Sequence, residues 1–145
     1  MADDEDTGSS VLDADTFVET EAPAVIIARI EGKARQVERL LRVAQFAEAL
    51  ETALQDAPTQ TRDEQCKAAN WMLVHRVITA TKDVDALLLR LNPDLHDILM
   101  KYLYRGLGTG DRITCEVCLR LHEKLFEMTG IGSVMRAISD TQNLV

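Results

Sequence analysis

The chain has 145 residues, of which 46% are hydrophobic and only 4% aromatic, and its formal net charge at pH 7 is −8. This length is typical of one domain, and the low aromatic but high aliphatic and alanine content favours helices over a β-sandwich. Residues 1–23 hold eight acids and no Lys or Arg, whereas the remainder carries equal numbers of acids and bases. An acidic end on a neutral body argues against nucleic acid or an anionic membrane as the main partner.

The cysteine count and the hydropathy pattern predict a cytoplasmic protein. The three cysteines are an odd number, the N-terminus carries no apolar leader, and no apolar run approaches the roughly 20 residues of a membrane span. We therefore expect a reduced intracellular compartment and no membrane insertion.

Residues 1–23 are predicted to form a flexible acidic arm, and residues 24–145 a single helical domain. The arm is too charged and too poor in large apolar side chains to offset the entropy of ordering. Its few apolar residues are candidates for a partner-binding segment that orders only on docking, and incidental hydrophobic residues in a solvated tail are an equal alternative. These residues are Val11, Leu12, Phe17 and Val18.

The body is predicted to begin with two helices. The first is expected over about residues 24–42, where Gly32 makes a break possible because glycine costs roughly 1 kcal/mol relative to alanine. The second lies in the stretch AQFAEALETALQDAP, whose small residues let a neighbouring helix approach closely. Pro58 is expected to end this helix.

Two further helices follow. Thr61 and Glu64 predict a capping box at the start of the third helix. Apolar residues cover so much of that helix's circumference that we expect burial on more than one side, with Trp71 as a packing anchor. Asp83 should cap a short fourth helix, which is followed directly by the start of a fifth helix at Asn92 and Pro93.

The stretch NPDLHDILMKYLYRG, residues 92–106, predicts a fifth helix with both ends marked. Asn92 can cap it and Pro93 suits its first position. Gly106 or Gly108 is expected to stop it in the left-handed conformation. A sixth helix over about 111–128 and a last helix after Gly130 complete an all-α chain of about seven short helices. Without any alternating strand pattern or sequence period, this predicts an irregular helical stack.

Two blocks, LMKYLYRG at residues 99–106 and LHEKLFEMTGIGSV at residues 121–134, carry a specific resemblance. With AQFAEALETALQDAP upstream, they resemble the smallest subunit, subunit 5, of the actin-related protein 2/3 complex. The match runs in order over roughly residues 35–138, and the two ends follow the family less closely.

The resemblance implies a non-catalytic structural subunit of a seven-protein assembly that nucleates branched actin filaments. In that family the fold is an irregular α–α superhelix, and the body docks beside subunit 4 and the β-propeller subunit 1. The N-terminal extension tethers actin-related protein 2. The implied partners are these subunits and, through the complex, actin filaments, with no cofactor and no nucleic acid.

Three residues of the body are predicted to bind partners. Lys101, Tyr104 and Arg105 lie in the most specific block and point away from the apolar stripe of its helix. An equal alternative is that these residues only stabilise the fold.

Other functions find little support in the sequence. Cys115, Cys118 and His122 could share one helical face and touch a zinc ion, but no fourth ligand occurs at a matching spacing, and helix packing is favoured. No strand precedes Cys115, as a redox CxxC motif requires. The glycines of GLGTG at 106–110 lack the strand and the Lys-Ser/Thr of a phosphate loop. We expect no enzyme; the alternatives are a free-standing helical-repeat adaptor and then a small zinc or redox protein.

Overall fold

The computed structural model describes residues 17–145, and these contain seven α-helices and no strand. The all-α prediction is therefore confirmed, and Val11 and Leu12 lie outside the described residues. No helix within this range is long and apolar enough to cross a lipid bilayer. In chain order the helices are α1 (Pro23–Arg42), α2 (Phe46–Leu54), α3 (Glu64–Ala80), α4 (Val84–Arg90), α5 (His96–Leu107), α6 (Arg112–Thr129) and α7 (Ile131–Ser139), with a 3-10 turn (Pro93–Leu95) before α5.

The helices form an irregular α–α superhelix with one continuous core. α1, α2 and α3 pack against one another, as do α5, α6 and α7, and α6 joins the two groups by contacting α3 and α4. α7 packs mainly on α5 and α6, so it closes one end of the stack. The core is built mostly from aliphatic side chains, including Val37, Leu50, Leu54, Val74, Leu99, Leu103, Leu121 and Leu125.

The ends of two helices differ from the sequence-based expectation. α2 ends at Leu54, so the prediction that Pro58 ends it is wrong; Gln55 has an extended backbone and Asp56 a φ of 51°. The chain thus turns before it reaches the proline. α1 continues through Gly32 without a break.

The cap of α3 is Asp63, so the predicted capping box of Thr61 and Glu64 is wrong. The Asp63 carboxylate accepts hydrogen bonds from the backbone N–H groups of Gln65 (2.8 Å) and Cys66 (3.3 Å). The predicted caps of the next elements are confirmed. Asp83 accepts from the Ala86 amide, and Asn92 accepts from the Asp94 amide at the 3-10 turn that precedes α5.

Neither Gly106 nor Gly108 adopts the left-handed conformation predicted to stop α5. Gly108 has a φ of −70°, and α5 runs through Gly106 to Leu107. Gly106 is needed for close approach instead, because a Cβ atom there would lie 2.4 Å from Cys118 Sγ and 2.9 Å from the Trp71 ring. The absence of a side chain at this position therefore lets α5 lie directly against α6 and α3.

A buried network of hydrogen bonds connects α1, α2, α3 and α5. Asn70 is fully buried; its side-chain amide donates to the Tyr102 hydroxyl (2.6 Å) and the Ala53 carbonyl (3.1 Å), and its oxygen accepts from Lys33 Nζ (2.7 Å). Burial lowers the pKa of Lys33 to about 8 and raises the pKa of Tyr102 to about 12. The polar side chains of this network thus have specific partners, which fix how the four helices sit relative to one another.

Replacing Gly106 by alanine should destabilise the protein by about 1–3 kcal/mol, because the added methyl group overpacks the contact with Cys118 and Trp71. Gly108→Ala is the matched control: its Cβ would be 3.4 Å from the nearest atom, and its φ suits alanine. Urea denaturation followed by circular dichroism gives both free energies of unfolding. Equal stability of the two variants would contradict the close-approach argument.

Lys33 should make the free energy of unfolding rise between pH 8 and pH 10. Over this range the unfolded chain still binds the lysine proton, because an unperturbed lysine has a pKa of 10.5, whereas the folded chain releases it at about 8. The rise should be smaller in Lys33→Met by up to about 1.4 kcal/mol per pH unit, the limit for one proton. Urea denaturation at several pH values measures this difference, with Lys82→Met, at an exposed lysine, as the control. Parallel pH profiles for the wild type and both variants would exclude this linkage.

Candidate functional site

The root of the acidic arm is attached to the body. The Phe17 ring lies under the Arg62 guanidinium, with 4.3 Å between the guanidinium carbon and the ring centroid. The Glu19 carboxylate accepts from the Thr61 hydroxyl (3.0 Å) and the Arg62 amide (2.9 Å). Glu21 pairs with Arg29 on α1. Residues 17–21, the root of the arm, are therefore attached to the body, and Phe17 and Glu19 lie beside the start of α3.

Of the four arm residues predicted to bind partners, two are described and they differ. Phe17 is half-buried against Arg62, so its ring already has an intramolecular contact. Val18 is 75% exposed. Of this pair, Val18 is the side chain free to meet a partner.

Lys101 and Arg105 face the end of the same chain. Lys101 Nζ lies 2.6 Å from the Asp140 carboxylate and 3.0 Å from the Asn143 carbonyl, and its hydrogen bond holds the pKa of Asp140 well below the usual range. Arg105 donates to the Val145 carbonyl (2.8 Å) and pairs with Glu64. These two side chains, which the sequence predicts to bind partners, thus hold residues 140–145 against α5.

Both ends of the described chain meet at one loop. Gln60 donates from its side chain to the Asn143 side-chain oxygen (2.7 Å), while the next residue, Thr61, donates to Glu19. The structure therefore brings the arm root and the segment held by Lys101 and Arg105 together at the start of α3. Spacing along the sequence carries no signal for this contact.

Tyr104 belongs to a different surface. Its hydroxyl is 2.9 Å from His122 Nε2 on α6, and His122 stacks on Phe126 with 6.4 Å between ring centroids. Phe126 is 41% exposed. Tyr104 therefore contributes to a partly exposed aromatic group on α5 and α6, separate from the contacts of Lys101 and Arg105.

The outer face of α7 is apolar and is not covered by any other element within residues 17–145. The sequence alone did not single out this feature. Ile131, Met135 and Ile138 are 61%, 60% and 63% exposed and lie on one row of the helix, while Val134 faces the core. The i, i+4, i+7 spacing of Ile131, Met135 and Ile138 predicts that these residues form one apolar row on the last helix. The spacing does not predict which of the two apolar rows of this helix is buried.

Cys115 and Cys118 both lie near Gly106, whereas His122 contacts Tyr104. Cys115 Sγ lies 3.6 Å from the Leu107 carbonyl, Cys118 is buried against Gly106, and His122 bonds Tyr104. Burial raises the pKa of Cys118 to about 11, which disfavours the thiolate that metal binding and redox chemistry need. Among residues 17–145, no three His, Cys, Asp or Glu side chains are grouped so as to hold a metal ion.

The chain is similar to known proteins over nearly its whole length. The family model for the ARP2/3 complex 16 kDa subunit (p16-Arc) matches residues 2–144, so the similarity extends well beyond residues 35–138 into both ends. Actin-related protein 2/3 complex subunit 5A of Arabidopsis thaliana is 54% identical over 129 residues, covering 89% of this chain and 98% of that protein. Subunit 5B of the same plant is 52% identical over 132 residues, 91% of this chain and 98% of that protein.

A more distant relative gives the same assignment. Actin-related protein 2/3 complex subunit 5 of Dictyostelium discoideum is 33% identical over 119 residues, which cover 81% of this chain and 85% of that protein. The resemblance found in the two sequence blocks is thus confirmed. The chain belongs to the p16-Arc family, the 16 kDa subunit of the ARP2/3 complex.

Proposed function

We propose that this chain is a non-catalytic structural subunit that supports actin filament nucleation and branching within the actin-related protein 2/3 complex. Its helical body docks beside subunit 4 and the β-propeller subunit 1, and its acidic arm tethers actin-related protein 2. It works in the cytoplasm, at the actin cytoskeleton. The role is geometric: the subunit holds an actin-like protein in place and supplies no chemistry of its own.

The uncovered face of α7 is the observation that carries the docking proposal. In a stack of helices, an end helix of a free-standing protein needs a polar outer face to stay soluble. α7 closes one end of this stack, yet its outer row consists of Ile131, Met135 and Ile138. A contiguous apolar row of this kind is typical of a protein–protein contact. It favours a subunit of an assembly over a free-standing adaptor.

The arm root supports the tethering proposal. Glu19 is hydrogen-bonded to Thr61 and Glu21 forms a salt bridge with Arg29, so the root of the arm has a fixed position on the body. Residues 1–16 contain six of the eight acids of residues 1–23. An acidic segment anchored at its base can reach a neighbouring subunit while the body stays docked elsewhere.

We propose a supporting role in docking for Lys101, Tyr104 and Arg105. Lys101 and Arg105 keep residues 140–145 on the body. Tyr104 contacts His122, which stacks on the partly exposed Phe126. That any of the three touches a partner directly stays a prediction.

The double substitution Met135→Asp, Ile138→Asp should leave the chain folded but reduce its retention in the complex. Both side chains are mostly exposed, so folding tolerates the change, whereas two buried carboxylates at an interface would be desolvated without a partner. The measurement is co-expression with the other six subunits, gel filtration and quantification by mass spectrometry.

The control is Val25→Asp, Ile113→Asp, which places two carboxylates on exposed apolar positions of α1 and α6. Its retention should equal that of the wild type. If the α7 variant is retained equally well, the α7 face is not a docking surface.

A further inference from the structure

Lys33 on α1 carries a half-buried amino group that the proposed function does not use. Its Nζ lies 2.6 Å from the Gln55 carbonyl and 2.7 Å from the side-chain oxygen of Asn70, and it donates a hydrogen bond to each. The amide of Asn70 cannot be reversed, because its NH2 group already donates to the Ala53 carbonyl and the Tyr102 hydroxyl. Both partners of Lys33 are therefore uncharged acceptors.

No ion pair stabilises the charged form of Lys33. Within the described part of the chain, no Asp or Glu forms a salt bridge with it. Burial lowers the pKa of Lys33 most, attraction to Asp56 raises it, and Arg29, one turn earlier on α1, lowers it again, to about 8. Tyr102, reached through Asn70, stays neutral because burial raises its pKa to about 12. About a tenth of the chains thus carry a neutral amine at pH 7.

The neutral amine keeps its lone pair free. A neutral lysine has two N–H bonds and one lone pair, and the two N–H bonds are taken by the acceptors of Gln55 and Asn70. The lone pair therefore points away from both acceptors. Lys33 is half-buried and Gln55 is exposed, so Nζ lies at the edge of the contact between α1 and α2 rather than in the core. A small reagent can approach this edge from solvent.

A second lysine, Lys67, has a lowered pKa without this access. Burial lowers its pKa as well. However, Lys67 is only 9% exposed and its Nζ donates to the Leu144 carbonyl (2.8 Å), so residues 140–145 cover it. Lys33 combines a lowered pKa with an approach from solvent, whereas Lys67 does not.

We propose that Lys33 is a nucleophilic lysine and a site of acylation by small acyl thioesters. The lone pair of Nζ attacks the acyl carbon, the carbon–sulfur bond breaks, and the thiol leaves with the proton that the amine loses. The products are an amide and a free thiol, so the step needs no further reactant. The amide keeps one N–H, so either Gln55 or Asn70 loses its donor. Acylation therefore loosens the contact of α1 with α2 and α3.

The reactivity is tested by incubating the folded full chain with acetyl-coenzyme A and measuring acetylation of each lysine by peptide mass spectrometry at low conversion. At pH 7 an amine with a pKa of about 8 is neutral about 300 times more often than an ordinary lysine with a pKa of 10.5. Because nucleophilicity falls with basicity, Lys33 should be acetylated about tenfold faster than the exposed Lys82. Its rate should level off above about pH 8. A rate at Lys33 equal to or below that at Lys82 would overturn the inference.

Asn70→Asp tests the cause of this reactivity. It should slow acetylation of Lys33 about tenfold, because a carboxylate beside Nζ favours the protonated amine. Acetylation of Lys82 in the same molecules is the internal control and should not change. An undiminished rate at Lys33 in a variant with the wild-type melting temperature would count against the proposal.

Asp56→Asn gives the answer if Asn70→Asp does not fold. Asp56 is exposed and has a φ of 51°, a conformation that asparagine adopts readily. Without its attraction the pKa of Lys33 should fall further, and acetylation at pH 7 should become faster. The matched control is Glu116→Gln, which removes an exposed carboxylate that pairs with Arg112 on α6 and should leave the rate unchanged. Equal rates in the two variants would reject Lys33 as an activated nucleophile.

Discussion

The contact of α5 with α6 and α3 at Gly106 is the constraint on which the second half of the molecule depends. A side chain at this position would collide with Cys118 and Trp71, so only glycine allows the helices to lie this close. The contact fixes the rotation of α5 about its axis. Its apolar stripe then enters the core, while Lys101 and Arg105 reach residues 140–145. Packing at one glycine thus sets which side chains hold the chain end.

Local signals predicted the elements well, and distant contacts limited the rest. Asp83 and Asn92 could be predicted as caps because capping is a local interaction. Each side chain accepts a hydrogen bond from a backbone amide within three residues of itself. Thr61 was misassigned because its hydroxyl bonds Glu19, 42 residues away. Gly106 was expected to stop a helix because it is a glycine near a predicted helix end. The residues that require a glycine there, Cys118 and Trp71, lie on other helices and leave no local signal in the sequence. Side-chain periodicity tells which residues share a face, but not which face another helix covers.

The same limit applies to the candidate site. The family could be predicted from two blocks of sequence. The uncovered face of α7 could not, since it is recognised by what does not pack against it within residues 17–145. This face lies at one end of the stack, and the root of the arm lies beside the start of α3. A subunit with an apolar contact face and an anchored arm is suited to bridge several neighbours at once.

The most direct measurement is native mass spectrometry of the complex recovered with a tagged copy of this chain, compared with a tagged chain lacking residues 1–16. The account predicts one copy of the full chain with two actin-like proteins and four further subunits. It predicts that the shortened chain keeps its body partners but retains actin-related protein 2 more weakly. Recovery of the full chain as a lone protein of about 16 kDa, or with varying partners, would contradict the structural-subunit account.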